Sequence, residues 1–224
     1  MQVYKIGIPE IAIGPLSSKL KSSLYLGPTL WLVSGGSNIK LAVGVMESLD
    51  SELSSNLTIA LTDERYGPYN HQDSNWTQLL LAGFDPKKAQ LIEALLPSNL
   101  DLQTTTQLYN DKLNAAFEDA TDIIGQFGMG TDGHIAGILP NTVATNETDK
   151  LVIGYSGQPY DRITIGFGGI NRLSAAFLMA FGSDKHDQLD KLINQQLSLA
   201  IQPAQIIKQL NESYLYNDQI EVIQ

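Results

Sequence analysis

Short apolar runs alternate along this chain with longer stretches in which apolar residues recur every three or four positions. The short runs are Leu30–Val33, Leu57–Leu61, Asp122–Phe127, Arg162–Ile165 and Ala176–Phe181. Each is strand-sized and runs within two residues into Gly, Ser or Asp, the pattern of buried parallel strands. The longer stretches predict helices over Ile39–Leu49, Asn75–Leu81, Leu102–Glu118, Asp187–Leu197 and Pro203–Leu210. Pro203 suits a first helical turn, where its missing N–H costs nothing. Strand–helix alternation of this kind predicts an α/β fold: a doubly wound, mostly parallel twisted sheet with helices on both faces. The expectation is one domain over residues 1–224, with the polar stretch 141–150 as an exposed loop. In such sheets ligands bind beyond the carboxyl ends of the strands.

Composition narrows the partners. No apolar run approaches the roughly 20 residues that span a bilayer, and the opening residues Met1–Ile6 lack the charged-then-apolar layout of a secretory signal. Cysteine is absent, which removes disulfides, thiolate metal sites and a cysteine nucleophile. Together these features predict a cytoplasmic protein with no membrane partner. The net charge of −10 argues against a nucleic-acid partner, because that binding neutralises phosphates with Lys and Arg. It also repels small anions at long range. Any anion site must therefore be local, built from a few of the 14 basic residues and from backbone N–H groups.

Four clusters, each at the exit or the start of a predicted strand, could supply such a site. Ser34, Gly35, Gly36 and Ser37 lie between a strand and a helix, where small residues let N–H groups face an anion and the helix dipole adds positive charge. The same residues also read as an ordinary turn with Ser37 as N-cap. Asp63-Glu64-Arg65 follows the second strand, and Asp73-Ser74-Asn75 precedes a helix as a capping sequence. The turn Gly128-Met129-Gly130-Thr131-Asp132-Gly133-His134 presents an acid and an imidazole two residues apart. Imidazole titrates near neutral pH and can take and return a proton. The glycines also match the dinucleotide pattern G-x-G-x-x-G, but Pro140 and the polar stretch after it leave no room for the helix that pattern requires. Arg162 at the start of a strand and Lys185 after the last one complete the set; Arg clamps a phosphate through parallel hydrogen bonds, and Lys acts as a point charge. His71 and His186 lie in polar surroundings, and no metal-ligand spacing is present.

Taken in order, Ser34–Ser37, Asp63-Glu64-Arg65, Asp73-Ser74-Asn75, Gly128-x-Gly130-x-Asp132-Gly133-His134-x-Ala136, Asn171-Arg172 and Gly182-x-Asp184-Lys185 resemble the 6-phosphogluconolactonases, which group with the glucosamine-6-phosphate deaminases. The resemblance runs from about Trp31 to about Lys191. It implies a Rossmann-like single domain that hydrolyses 6-phospho-D-glucono-1,5-lactone to 6-phosphogluconate in the oxidative pentose phosphate pathway. It implies no metal and no organic cofactor, and a small-molecule sugar-phosphate lactone as partner. Carried over, His134 resembles the general base, with Asp132 beside it. Arg65 is similar to an arginine that faces the substrate, and Asp63 to a residue that orients neighbours. Ser34, Gly35, Gly36, Ser37, Gly130, Arg162 and Lys185 form the substrate-binding set. The deaminases carry a glutamate before the proline where this chain has Leu139, and leucine cannot move a proton. Alternative readings are a deaminase or isomerase and a non-catalytic sugar-phosphate sensor. The chain departs from the resemblance at Asn38-Ile39, where Thr-Pro is usual, and at Gly137-Ile138-Leu139. An abbreviated first helix over about Leu16–Leu24 is expected. Oligomeric state stays open, with a monomer as the starting expectation.

Overall fold

The computed structural model describes residues 1–222. Its strands are β1 (Gln2–Lys5), β2 (Thr29–Val33), β3 (Leu57–Leu61), β4 (Asp63–Arg65), β5 (Gln90–Ile92), β6 (Asp122–Gly128), β7 (Val152–Tyr155), β8 (Arg162–Ile165), β9 (Ala175–Ala180) and β10 (Ser213–Asn217). Its α-helices are α1 (Ile13–Leu26), α2 (Ile39–Ser48), α3 (Asn75–Leu81), α4 (Leu102–Asp119), α5 (Phe167–Ile170) and α6 (His186–Asn194). The described residues form a seven-stranded sheet in the order β1-β10-β9-β6-β2-β3-β5, parallel at every pairing, and a three-stranded antiparallel sheet β4-β8-β7.

Successive side chains of a strand point to opposite faces, and β2 shows the consequence. Leu30 and Leu32 pack with Tyr109, Leu113 and Phe117 of α4 on one face. Trp31 and Val33 pack on the other with Leu16, Leu20 and Leu24 of α1 and with Leu41 and Val45 of α2. All five residues of β2 are buried, so the strand reads as an unbroken apolar run with no alternation. From β2 the chain winds to β3 on one side, while β6 returns on the other. The switch point therefore lies between β2 and β6, the place where such sheets bind ligands.

Several expectations need correction. Arg162–Ile165 is a strand, but it is antiparallel between β4 and β7 and takes no part in the parallel sheet. Asp63-Glu64-Arg65, expected only as a charged cluster after the second strand, is itself a strand: the chain leaves β3 at Thr62, whose N–H donates to the Val33 carbonyl at 2.9 Å and whose carbonyl accepts from Ile165 N–H at 2.8 Å. The first helix is full length, Ile13–Leu26. Pro15 falls within its first turn, where the N–H has no intrahelical acceptor to lose. Pro203–Gln209 forms a 3-10 helix; its first five residues are buried in succession, which leaves no exposed side for an amphipathic α-helix. Stretch 141–150 includes a 3-10 turn at Val143–Asn146 with Ala144 and Thr145 buried. Strands β1, β5, β7 and β10 carry no sequence signal strong enough to predict them; they are three to five residues long, and β1 and β5 lie at the edges of the large sheet.

Candidate active site

A cavity of about 400 Å³ opens at the carboxyl ends of the parallel strands. It is lined by Ser34, Gly35, Gly36 and Ser37 after β2, by Asp63 and Arg65 of β4, and by Arg162 of β8. Gly130 and His134 after β6 and Lys185 after β9 complete the predicted set. Ten of the eleven residues singled out in the sequence thus share one hollow. The eleventh, Asp132, stands behind His134, its Oδ1 2.6 Å from His134 Nδ1.

The turn after β6 is shaped to hold that imidazole. Gly130 N–H donates to the His134 carbonyl at 3.1 Å, and Gly133, at φ +86°, donates to the Gly130 carbonyl at 3.0 Å. A Cβ on Gly130 would lie 2.2 Å from the His134 ring, so only glycine lets the ring fold over the main chain. Burial works against the charge of Asp132, but the hydrogen bonds and charge offered by His134 outweigh it and hold the carboxyl below the usual aspartate range. An ionised carboxylate only accepts hydrogen bonds. When the imidazole is neutral, a hydrogen bond to that carboxylate puts its proton on Nδ1 and its lone pair on Nε2.

Across the cavity, the β4–β8 register places Arg65 directly opposite Arg162. Like charges in that position repel and destabilise a strand pair. Arg65 Nη1 donates to the Asp73 carbonyl at 3.0 Å, and its guanidinium lies 5.2 Å from the Tyr160 ring centroid. Arg162 has its Nε buried without a partner, and so does the Ser34 hydroxyl. Lys185 is 9% exposed and has no ion pair among the described residues. Burial lowers the affinity of its amine for a proton, and Asp184 and Asp218 oppose that shift. Three cations and one orphaned hydroxyl thus face a cavity whose only lining carboxylate among the described residues is Asp63. The arrangement suits a dianion, which would pair the cations and relieve the arginine repulsion.

The charged triplet also supplies a part the sequence did not disclose. Glu64 is buried and accepts from Arg65 N–H at 2.7 Å, Ser74 Oγ at 2.8 Å, Asn75 N–H at 2.6 Å and Trp76 N–H at 3.2 Å. Burial raises its affinity for a proton, against the pull of those four donors. The carboxylate ties β4 to the start of α3. Ser74 caps that helix as expected, accepting from Thr77 N–H at 3.1 Å. Asn75 has a second role: it lines the cavity and donates to the Asp63 carbonyl at 2.9 Å. Gly35 leaves room for it, since a Cβ there would fall 2.3 Å from Asn75 Oδ1. The sequence hint was the small residue at 35, which is meaningful only once α3 is known to lie against the loop. Ser37 makes no N-cap; that position of α2 belongs to Asn38, whose side chain makes no capping bond either. Among the described residues no group of three or more His, Asp or Glu side chains stands together in a metal-ligating arrangement, and no helix is long and apolar enough to cross a membrane.

A doubly wound sheet thus carries an imidazole–carboxylate pair and a wall of cations at its carboxyl edge. The family described as glucosamine-6-phosphate isomerases/6-phosphogluconolactonase matches residues 26–216, and the chain belongs to that family. A 6-phosphogluconolactonase of Helicobacter pylori is 31% identical over 160 residues, 66% of each protein. One from Synechocystis is 29% identical over 169 residues, 70% of this chain and 68% of that protein. The alignment thus spans slightly less than two thirds of the Helicobacter relative. The crystal structure of a 6-phosphogluconolactonase from Thermotoga maritima superposes with a TM-score of 0.77 at 20% identity over 96% of both chains. The enzyme from Trypanosoma brucei gives 0.77 at 18%, over 97% of this chain and 96% of that one.

Proposed function

We propose that the protein hydrolyses 6-phospho-D-glucono-1,5-lactone to 6-phosphogluconate, the lactone-opening step of the oxidative pentose phosphate pathway. The observation that carries the reading is the shared cavity: Arg162, whose Nε has no partner, and Lys185, without an ion pair among the described residues, line it together with the imidazole that Asp132 holds by Nδ1. The names of the family and of its curated relatives point the same way. Arg162, Lys185 and the Ser34–Ser37 loop hold the phosphate. Nε2 of His134 takes a proton from water as the water oxygen bonds to the lactone carbonyl carbon. The carbonyl oxygen becomes an oxyanion, stabilised by Arg65 or by N–H groups of the glycine turn. The tetrahedral carbon then expels the ring oxygen, which receives the proton from the imidazolium. One water is consumed, the ester bond is broken, and the carboxylic acid formed becomes the carboxylate by releasing its remaining proton to solvent. Asp63 orients Asn75 and the start of the second sheet.

The deaminase reading has less support, because Leu139 offers no proton and lies outside the lining of the cavity. We read the chain as one cytoplasmic domain without a nucleic-acid partner, on the bonds at Thr62 that join the two sheets and on the net charge of −10. The test is a background-corrected lactonase assay. Loss of 6-phosphogluconolactone faster than its spontaneous rate supports the reading, and identical rates with and without protein dispose of it.

A further inference from the structure

Asn38 stands where the two windings of the sheet part. β2 and β6 pair only as far as Leu32 and Gly125. β6 continues beside β9 to the pair Gly128 and Met179. Among the described residues, β6 has no strand on its β2 side beyond Gly125, and buried main-chain groups there need other partners. The Asn38 side chain supplies them. Its Nδ2 donates to the Phe127 carbonyl at 3.1 Å and to the Met179 carbonyl at 3.1 Å. Its own main-chain carbonyl accepts from Gln126 Nε2 at 3.3 Å. Asn38 is 1% exposed and lies outside the lining of the cavity. Gly128 makes room for it, since a Cβ there would sit 3.0 Å from Nδ2.

These bonds join the ends of three elements, each leading to a different part of the site. Asn38 directly follows the Ser34–Ser37 loop, Phe127 leads into the turn of Gly130 and His134, and Met179 leads to Lys185. We propose that Asn38 is a positioning residue that sets the separation between the anion-holding loop and the His134 turn. Resting on the hydrolysis reading above, this means that a phosphate gripped by the loop presents the lactone carbonyl to the imidazole at the reacting distance. A misplacement of about 1 Å costs on the order of a hundredfold in rate. Both amide protons of Asn38 are used, so the tie depends on a side chain with two donors.

Asn38→Asp keeps the shape but turns the donors into acceptors facing two carbonyls. Asn38→Thr keeps one donor. On 6-phosphogluconolactone we expect kcat to fall about tenfold or more for Asn38→Asp and by a smaller factor for Asn38→Thr, with KM changed much less. Glucono-1,5-lactone has no phosphate for the loop to hold, so its slower hydrolysis should be unaffected. Equal losses on both lactones, or no loss on either, overturn the positioning role. A second arm needs no turnover. In amide NMR spectra of the ligand-free protein, Asn38→Thr should move the resonances of Gly128–Gly130 and Ser183–Lys185. Changes confined to residues near 38 overturn the tie. Wild-type protein that hydrolyses neither lactone defeats the hydrolysis reading, while the spectra still decide whether Asn38 couples the three elements.

Discussion

On one wall of the cleft Asp132 and His134 are 47% and 35% exposed and meet through a single turn of chain. Across the cleft Lys185 is 9% exposed, and Glu64, behind the lining, is 2% exposed and held by donors up to twelve residues away. Two carboxylates of similar intrinsic acidity accordingly diverge. Burial works against the charge of both. At Asp132 the imidazole outweighs it and the carboxyl is held low, whereas at Glu64 burial prevails and raises it. The comparison teaches that the Asp132–His134 pair is built from local geometry and stays partly exposed, whereas the Glu64 carboxylate and the Lys185 amine lie where burial disfavours their charged forms.

The sharpest way to break this division is His134→Ala. Removing a general base costs about 10²- to 10⁴-fold, so the background-corrected kcat should fall by at least about a hundredfold while the urea midpoint barely moves. A retained rate would put the proton elsewhere. Next in size is Glu64→Ala, which strands four donors of the buried wall. A loss of about 3 kcal/mol in urea unfolding is expected, since each orphaned buried donor costs about 1–3 kcal/mol and the site relaxes in part. An unchanged midpoint would show that the carboxylate does not tie β4 to α3.

Lys185→Ala and Arg162→Ala test the buried wall without disturbing the open one. Each should raise KM by about tenfold with kcat nearly constant, because phosphate contacts are shared by the ground and transition states. A fall in kcat at constant KM would move the phosphate away from these cations. The smallest effect concerns pH. The folded pKa of Asp132 lies below its unfolded value of about 3.9, so the carboxylate stabilises the fold above that value. The contribution is lost as pH falls through the lower, folded value. The difference in urea midpoint between wild type and Asp132→Asn should therefore shrink in that acid window. It will be modest, because the pair is partly exposed and screened. A constant difference down to the acid limit would mean that the Asp132–His134 contact contributes nothing to stability.

Strands β2, β3, β6 and β9 and helices α2, α3 and α4 were readable from the chain, because a strand buried on both faces is an apolar run and a helix on a sheet is a stripe. The Gly130–His134 turn was readable because its acid, its imidazole and its glycines lie within five residues. The antiparallel setting of β8, the opposed arginines, the second role of Asn75 and the four-donor grip on Glu64 were not. The first two arise from the pairing of strands far apart in sequence and the last two from a chain that folds back within twelve residues, and neither leaves a periodic trace. Asn38 shows the limit most clearly. As a residue before a helix it reads as a cap, yet its amide serves the ends of β6 and β9, since those strands outrun β2 and leave main-chain carbonyls in need of donors. Local chemistry determined which groups this protein owns, and the unequal lengths and order of its strands decided which of them meet.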